Sequence, residues 1–293
     1  MIAGALLGGA GCHRQSTSSP DTIEVGGIRW RVTTLKEVRR YLRAPGTTVK
    51  LVWQLMTSTN HAGPDLTHWV RVEYRFLEPT SGLPENARRN IAATLRRAFP
   101  GSLSVPDTNA PVARLLAARR DHFCAEYEDF IREFDPSALT YQEQWRLTAL
   151  PPVGRTVTVQ LDCWDDTGGA HGNSSREYFV FERDTGRRLS LDDLLSARAR
   201  PRLTALLKTA LRRARKLPAE QSLEQAGFWE KDIRPRAAQW TPAPGGLRFH
   251  FDAYAIGPYA LGPGDGVIPW PEAASCLTPH ARRLLTPPAP PAP

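Results

Sequence analysis

Lysine is scarce in this sequence: five of its 38 basic side chains are lysines and the rest are arginines. Methionine (2) and cysteine (4) are scarcer still. No two cysteines have CxxC spacing and none sits at a ligand offset from a histidine, which argues against a zinc module, so neither a metal nor a cofactor is expected. No apolar run approaches the ~20 residues that a membrane-spanning helix needs. Nucleophile elbow, P-loop and HExxH motifs are all missing. The formal net charge of +8 comes without zinc-finger spacing, a helix-turn-helix cue or an aromatic single-strand motif, so nucleic acid is not an expected partner. It implies instead a solvated basic surface or attraction to an anionic polymer or membrane. With 41% hydrophobic and 23% charged residues, the chain is rich enough in apolar side chains for one or two domains with real cores and is not a disordered chain.

What the sequence does contain begins at its start. Met1-Ile2-Ala3-Gly4-Ala5-Leu6-Leu7-Gly8-Gly9-Ala10-Gly11-Cys12 is small, apolar and ends in cysteine. It resembles the end of a bacterial lipoprotein signal peptide, in which the cysteine is lipidated after cleavage. Gly9 departs from the usual aliphatic residue, and no Lys or Arg precedes the run. The resemblance implies lipidation at Cys12 and a body held on a membrane face, outside the cytoplasm. Residues 13–20 then read as a polar tether. Of the remaining cysteines, Cys163 and Cys276 could bridge in an oxidising compartment; alternatively Cys124, Cys163 and Cys276 are all small buried hydrophobes.

Residues 21–150 form the first half. Strand patterning appears over Ile28–Thr33, Thr47–Met56 and Leu66–Leu77, with a turn at Asn60–Pro64. The period then changes to that of a helix over Pro84–Phe99, with Leu83, Ala87, Ile91, Leu95 and Phe99 on one face. A second helix is expected from an Asn109 cap to Phe134, and Tyr141–Leu150 alternates again. This order predicts an α+β fold, with helices packed on one face of an antiparallel sheet. Pro151-Pro152 marks a join, which leaves open whether the two halves share one sheet.

The second half spans residues 153–285 and is followed by a proline-rich tail over residues 286–293. Strands are expected at Thr156–Trp164, Arg176–Arg183, Arg236–Trp240, Leu247–Asp252 and Val267–Trp270. Helices are expected at Leu189–Leu195, Arg200–Lys216 and Glu272–Leu277. The first two strands flank Asp165-Asp166-Thr167-Gly168-Gly169-Ala170-His171-Gly172-Asn173. Three glycines and an asparagine in nine residues predict a hairpin tip with several positive φ angles. On that reading, Gly169→Val should destabilise more than His171→Ala. A second special stretch, residues 253–264, carries Tyr254 and Tyr259 among glycines and prolines.

Several segments together carry a family resemblance: Asp166 to Asn173; Asp184-Thr185-Gly186 with Leu189–Leu195; Gly246-Leu247 through Phe251-Asp252-Ala253-Tyr254 to Pro258-Tyr259-Ala260; and Ile268-Pro269. Over about residues 153–276 the chain resembles the extracellular domain of RsiV-type anti-sigma factors. The first half more weakly resembles the domain preceding the catalytic part of PdaC-type deacetylases. The chain has no sigma-binding segment, transmembrane helix or deacetylase domain to carry those activities.

The resemblance implies a non-catalytic binding or sensing module of the cell envelope. Its expected partner is peptidoglycan, another anionic envelope polymer or a lysozyme-like protein. The binding residues would be Gly168, Gly169, His171, Asn173, Tyr254 and Tyr259. An acidic patch of Asp162, Asp165, Asp166, Asp192 and Asp193 could meet a cationic protein at short range. The alternative is a peptidoglycan-acting hydrolase, with His171 as general base and Asp166 and Asp252 as its carboxylates.

Overall fold

The computed structural model describes residues 21–41, 68–99, 110–134, 140–235 and 239–285. Cys12, the tether, the expected strand Thr47–Met56, the turn Asn60–Pro64, the Asn109 cap and the tail lie outside them.

Six strands form one sheet in chain order: β1 (Asp21–Val25), β2 (Ile28–Tyr41), β3 (His68–Ser81), β4 (Thr140–Leu150), β5 (Thr156–Asp166) and β6 (Asn173–Glu182). Helices α1 (Glu85–Ala98) and α2 (Val112–Phe134) connect β3 to β4. Strands that follow one another through hairpins pair antiparallel. β3 and β4 pair parallel, because a crossover of two helices carries the chain back to the end of the sheet at which β3 began. The α+β class therefore holds, in a mixed sheet.

Helix α1 buries Ala87, Ile91 and Leu95, spaced as expected from sequence. Together with α2 it covers one sheet face, where Val70, Val72, Tyr74 and Phe76 of β3 meet Leu116, Phe123 and Tyr127 of α2 in a first core. β2 is 14 residues long, far longer than its hydrophobic alternation predicted. The cause lies on its helix-facing side, where Glu37 pairs with Arg120 of α2 at 2.8 Å and Arg39 with Asp121 at 2.9 Å. Charged residues there break the apolar pattern without breaking the strand. β1 escaped the sequence reading altogether: it is a partly exposed edge strand, turned into β2 by Gly26 and Gly27 at φ 60° and 73°.

The second half builds another layer. Strands β7 (Trp240–Ala243), β8 (Gly246–Phe251) and β9 (Gly264–Pro269) form an antiparallel sheet. Most of the expected strand Arg236–Trp240 lies outside the described residues; β7 runs on from Trp240 and accommodates Pro242 because it is an edge strand. Short helix α3 (Leu191–Leu194) begins with a capping box between Ser190 and Asp193. α4 (Arg200–Ala214), α5 (Trp270–Ala273) and α6 (Pro279–Leu285) complete this half. Leu203, Leu207 and Leu211 of α4 join Phe249, Phe251 and Trp240 in a second core.

The two halves share the large sheet, since β4, before Pro151-Pro152, pairs with β5, after it. β5 and β6 serve both cores. Val157, Val159, Leu161, Phe179 and Phe181 face the first. Tyr178 and Val180 face the second, and Thr158 meets Thr241 of β7 at 3.3 Å. Cys163 therefore packs with the first core and Cys276 with the second, and all three described cysteines are free thiols. Among the described residues no helix is long and apolar enough to cross a membrane.

Candidate functional site

The small sheet covers only the base of the β5–β6 hairpin. Toward the tip, the face of the large sheet opposite the helices is open. Two rows of side chains cross it in register. One runs Glu73, Gln144, Trp164, Ser174; the other runs Arg75, Arg146, Asp162, Arg176. Together with His250, Asp252 and Asp265 they line a groove of about 410 Å³. A second cleft, of about 430 Å³, continues past Arg176 to Arg213 and Arg248.

At the groove's rim the hairpin tip meets the loop over residues 253–263. The rings of His171 and Tyr259 stack at 3.6 Å between centroids and 11° between planes. Tyr254 lies beside both, with its ring centroid 5.5 Å from that of Tyr259 and its hydroxyl 3.4 Å from His171 Nε2. Tyr259 donates its hydroxyl to the Gly172 carbonyl (3.2 Å), and His171 Nδ1 lies 3.1 Å from the same oxygen. A carbonyl can only accept, so Nδ1 carries the proton and Nε2 faces the tyrosine. Tyr254 and Tyr259 remain 53% and 38% exposed, a cost normally avoided by burying aromatic faces. Tyr254 also holds φ 65° without being glycine, and such conformations gather at functional sites.

The glycines divide their work. Gly168 takes φ 80° and donates its N–H to Asp166 Oδ1 at 3.0 Å, an Asx turn. Gly169 does not take a positive φ, and its only neighbour within 4 Å of an added Cβ is the His171 carbonyl oxygen at 3.9 Å. The expectation placed on Gly169 therefore moves to Gly168. Gly172 is needed for space: an added Cβ would lie 2.9 Å from Trp164 Nε1. Trp164 thus joins the aromatic tip to the groove floor. Asn173 stands opposite Asp165 in register and reaches its carboxylate at 3.5 Å.

Neither carboxylate proposed for His171 engages it. Asp166 is occupied by the Asx turn. Asp252 Oδ1 accepts from the Arg176 backbone N–H (2.8 Å) and faces His250 Nε2 (3.2 Å), while its Oδ2 accepts from Gln239 (3.3 Å). His250 Nδ1 faces Asp265 at 3.1 Å. Both ring nitrogens of His250 thus point at groups that only accept, which calls for an imidazolium. Burial opposes that charge, but the hydrogen bonds to Asp252 and Asp265 outweigh it and raise the pKa to about 9. Burial likewise works against ionised Asp265, yet His250 and the nearby Arg176 and Arg248 charges hold its pKa below the usual value.

His250 escaped the sequence reading. Its signal was there, a histidine two residues before an aspartate on an alternating strand, but the decisive partner comes from β9. Cys163, beside the groove in sequence but packed against the first core on the other face of the sheet, is no nucleophile, because burial pushes its thiol up to about 12. Among the described residues no group of three or more His, Cys, Asp or Glu side chains could hold a metal ion.

The acidic patch is not bare. Asp162 pairs with Arg176 at 2.7 Å, Asp193 with Arg187 at 3.1 Å and Asp192 with Arg200.

Residues 192–271 match the model of a family described as "Protein of unknown function (DUF3298)". The matched segment contains Tyr254, Tyr259, His250, Asp252 and Asp265, and it omits the hairpin tip. Two crystal structures are similar in fold. A member of the DUF3298 family from Bacteroides fragilis has a TM-score of 0.68 and 19% identity, covering 87% of this chain and 95% of its own. A DUF3298 family protein from Pseudomonas aeruginosa has a TM-score of 0.50 and 20% identity, covering 88% and 97%. At such identities the likeness shows the fold, and it extends well beyond the matched segment. No curated protein matches the chain.

Proposed function

We propose that this protein is a non-catalytic binding module of the cell envelope, tethered by lipid at Cys12, that holds an anionic envelope polymer such as peptidoglycan. The observation that carries this reading is the convergence of two distant loops. His171 and Tyr259, 88 positions apart in the chain, stack face to face at the mouth of a groove floored by Trp164 and three arginines. Exposed rings of this kind suit the C–H faces of sugar rings, and a few polar groups beneath them fix orientation.

Charge favours an anionic target over a lysozyme-like protein. Lysozymes are cationic, and a chain of +8 would repel them at long range. Pairing of Asp162, Asp192 and Asp193 with arginines also weakens the acidic patch such a partner would need. The RsiV-type and PdaC-type resemblances support an envelope setting without choosing the ligand. The binding reading further suits a His171 whose partners are a carbonyl and a phenol rather than a carboxylate.

The test is co-sedimentation with purified peptidoglycan, alongside an assay for released sugar or peptide. The expected result is binding by the wild-type protein without release, weakened roughly tenfold in Tyr259→Ala, as is usual for an aromatic contact at the centre of an interface. Release of product that disappears in a folded His171→Ala would favour the hydrolase. Capture of lysozyme but not peptidoglycan would favour the protein partner.

A further inference from the structure

The floor of the groove holds an arrangement that sheets normally avoid. Arg75 of β3 and Arg146 of β4 stand directly opposite each other on the open face. Like charges in that position destabilise a strand pair. Elsewhere on the sheet the protein neutralises such positions. Lys36 meets Glu73 at 2.9 Å one row away, and Arg176 meets Asp162 at 2.7 Å in the same row. Arg146 lies opposite Asp162 in register, but that carboxylate is taken by Arg176 Nε. Neither Arg75 nor Arg146 has a hydrogen-bond or ion-pair partner among the described residues. Both line the same groove as Trp164.

We propose that the Arg75–Arg146 pair is an oxyanion subsite, which takes a carboxylate or phosphate carried on a sugar whose ring lies against Trp164. Two guanidiniums side by side offer a fork to each oxygen of such a group. The site rests on a concave, partly enclosed sheet face, where the field of neighbouring cations is less screened than on an open surface. The bound anion supplies the counter-charge that this cross-strand pair lacks.

The subsite deepens the envelope-binding reading and rests on it for the identity of the polymer, but it can be tested without the polymer. The probes are N-acetylmuramate, N-acetylglucosamine 6-phosphate and neutral N-acetylglucosamine, titrated by calorimetry at fixed ionic strength. The expected result is saturable binding of at least one anionic sugar, at least tenfold tighter than the neutral one; the arm that binds distinguishes a carboxylate source from a phosphate source. Arg75→Gln and Arg146→Gln should each weaken that binding about tenfold, the scale of one lost charge-assisted bond. Each should also leave the unliganded Tm equal to or above that of wild type, because the like-charge contact is gone. Equal affinity for all three sugars would overturn the subsite, as would no binding of any, or variants that bind as the wild type does. If the anionic sugars bind but peptidoglycan does not co-sediment, the subsite stands and the choice of polymer falls. If peptidoglycan binds through the tip while the anionic sugars do not, the reverse holds.

Discussion

Single positions at the hairpin tip carry distinct physical loads. Gly168 occupies the left-handed region at φ 80°, so Gly168→Ala is expected to cost about 1–2 kcal/mol, the usual penalty for an L side chain there. Gly169→Ala meets no strain and only an ordinary contact with the His171 carbonyl oxygen and should stay within about 0.5 kcal/mol, as ordinary surface changes do. Urea midpoints would check both, and equal losses would contradict the assignment. His250 makes a pH prediction. Its folded pKa of about 9 lies above its ordinary value, so the imidazolium stabilises the fold fully below about pH 6.5 and that contribution is lost as pH rises through about 9. Tm should therefore fall more steeply over that window in the wild type than in His250→Gln. Asp265, with its lowered pKa, contributes the opposite dependence: its share persists above the ordinary carboxylate range and disappears as pH falls through the lowered value. Parallel pH profiles for wild type and His250→Gln would remove His250 from the account.

At the scale of elements, α2 is fastened to the sheet by a buried charge. Glu143 is 2% exposed. It accepts from Tyr74 at 2.5 Å and from Arg119 Nε at 2.9 Å, and the second Arg119 nitrogen engages its other oxygen. Removing one partner strands the other in a dry environment. Glu143→Ala should cost about 3–5 kcal/mol, whereas replacing both Glu143 and Arg119 by apolar residues should recover much of the loss. Chemical denaturation of the single and double variants decides this, and additive losses would rule it out.

Much of this layer was legible in the sequence. The period-two runs of β3, β4 and β5 and the four-residue spacing in α1 appear where alternation predicted them, because each buries one clean apolar face. β2 was legible only at its start, since Glu37 and Arg39 face a helix that supplies their counter-charges. The parallel β3–β4 pairing, the His250 clamp and the stack of His171 on Tyr259 depend on partners far apart in the chain. Local periodicity carries no information about them. The tip and the tyrosine loop stood out through their glycines and prolines and were expected to share one face, as they do, but whether they touch was not legible.

For the molecule as a whole, the join at Pro151-Pro152 is covalent punctuation within one continuous sheet. A fragment of residues 153–285 would lose β4 and expose Val157, Val159, Leu161, Phe179 and Phe181, which the first core buries. Such a fragment is expected to aggregate or to melt without cooperativity, while residues 21–285 melt in one transition. Calorimetry on both would check this, and a sharp, reversible transition in the fragment would show two separable units.

The double duty of β5 also constrains what the gene can tolerate. Its even-numbered side chains belong to one interior or the open groove, and its odd-numbered ones to another interior. One extra codon within the strand would transpose these two allegiances beyond the insertion, pushing aliphatics into the groove and aspartate toward the helices. Length change should therefore be tolerated at the glycine-rich tip, where the alternation has already ended, and rejected a few residues before it.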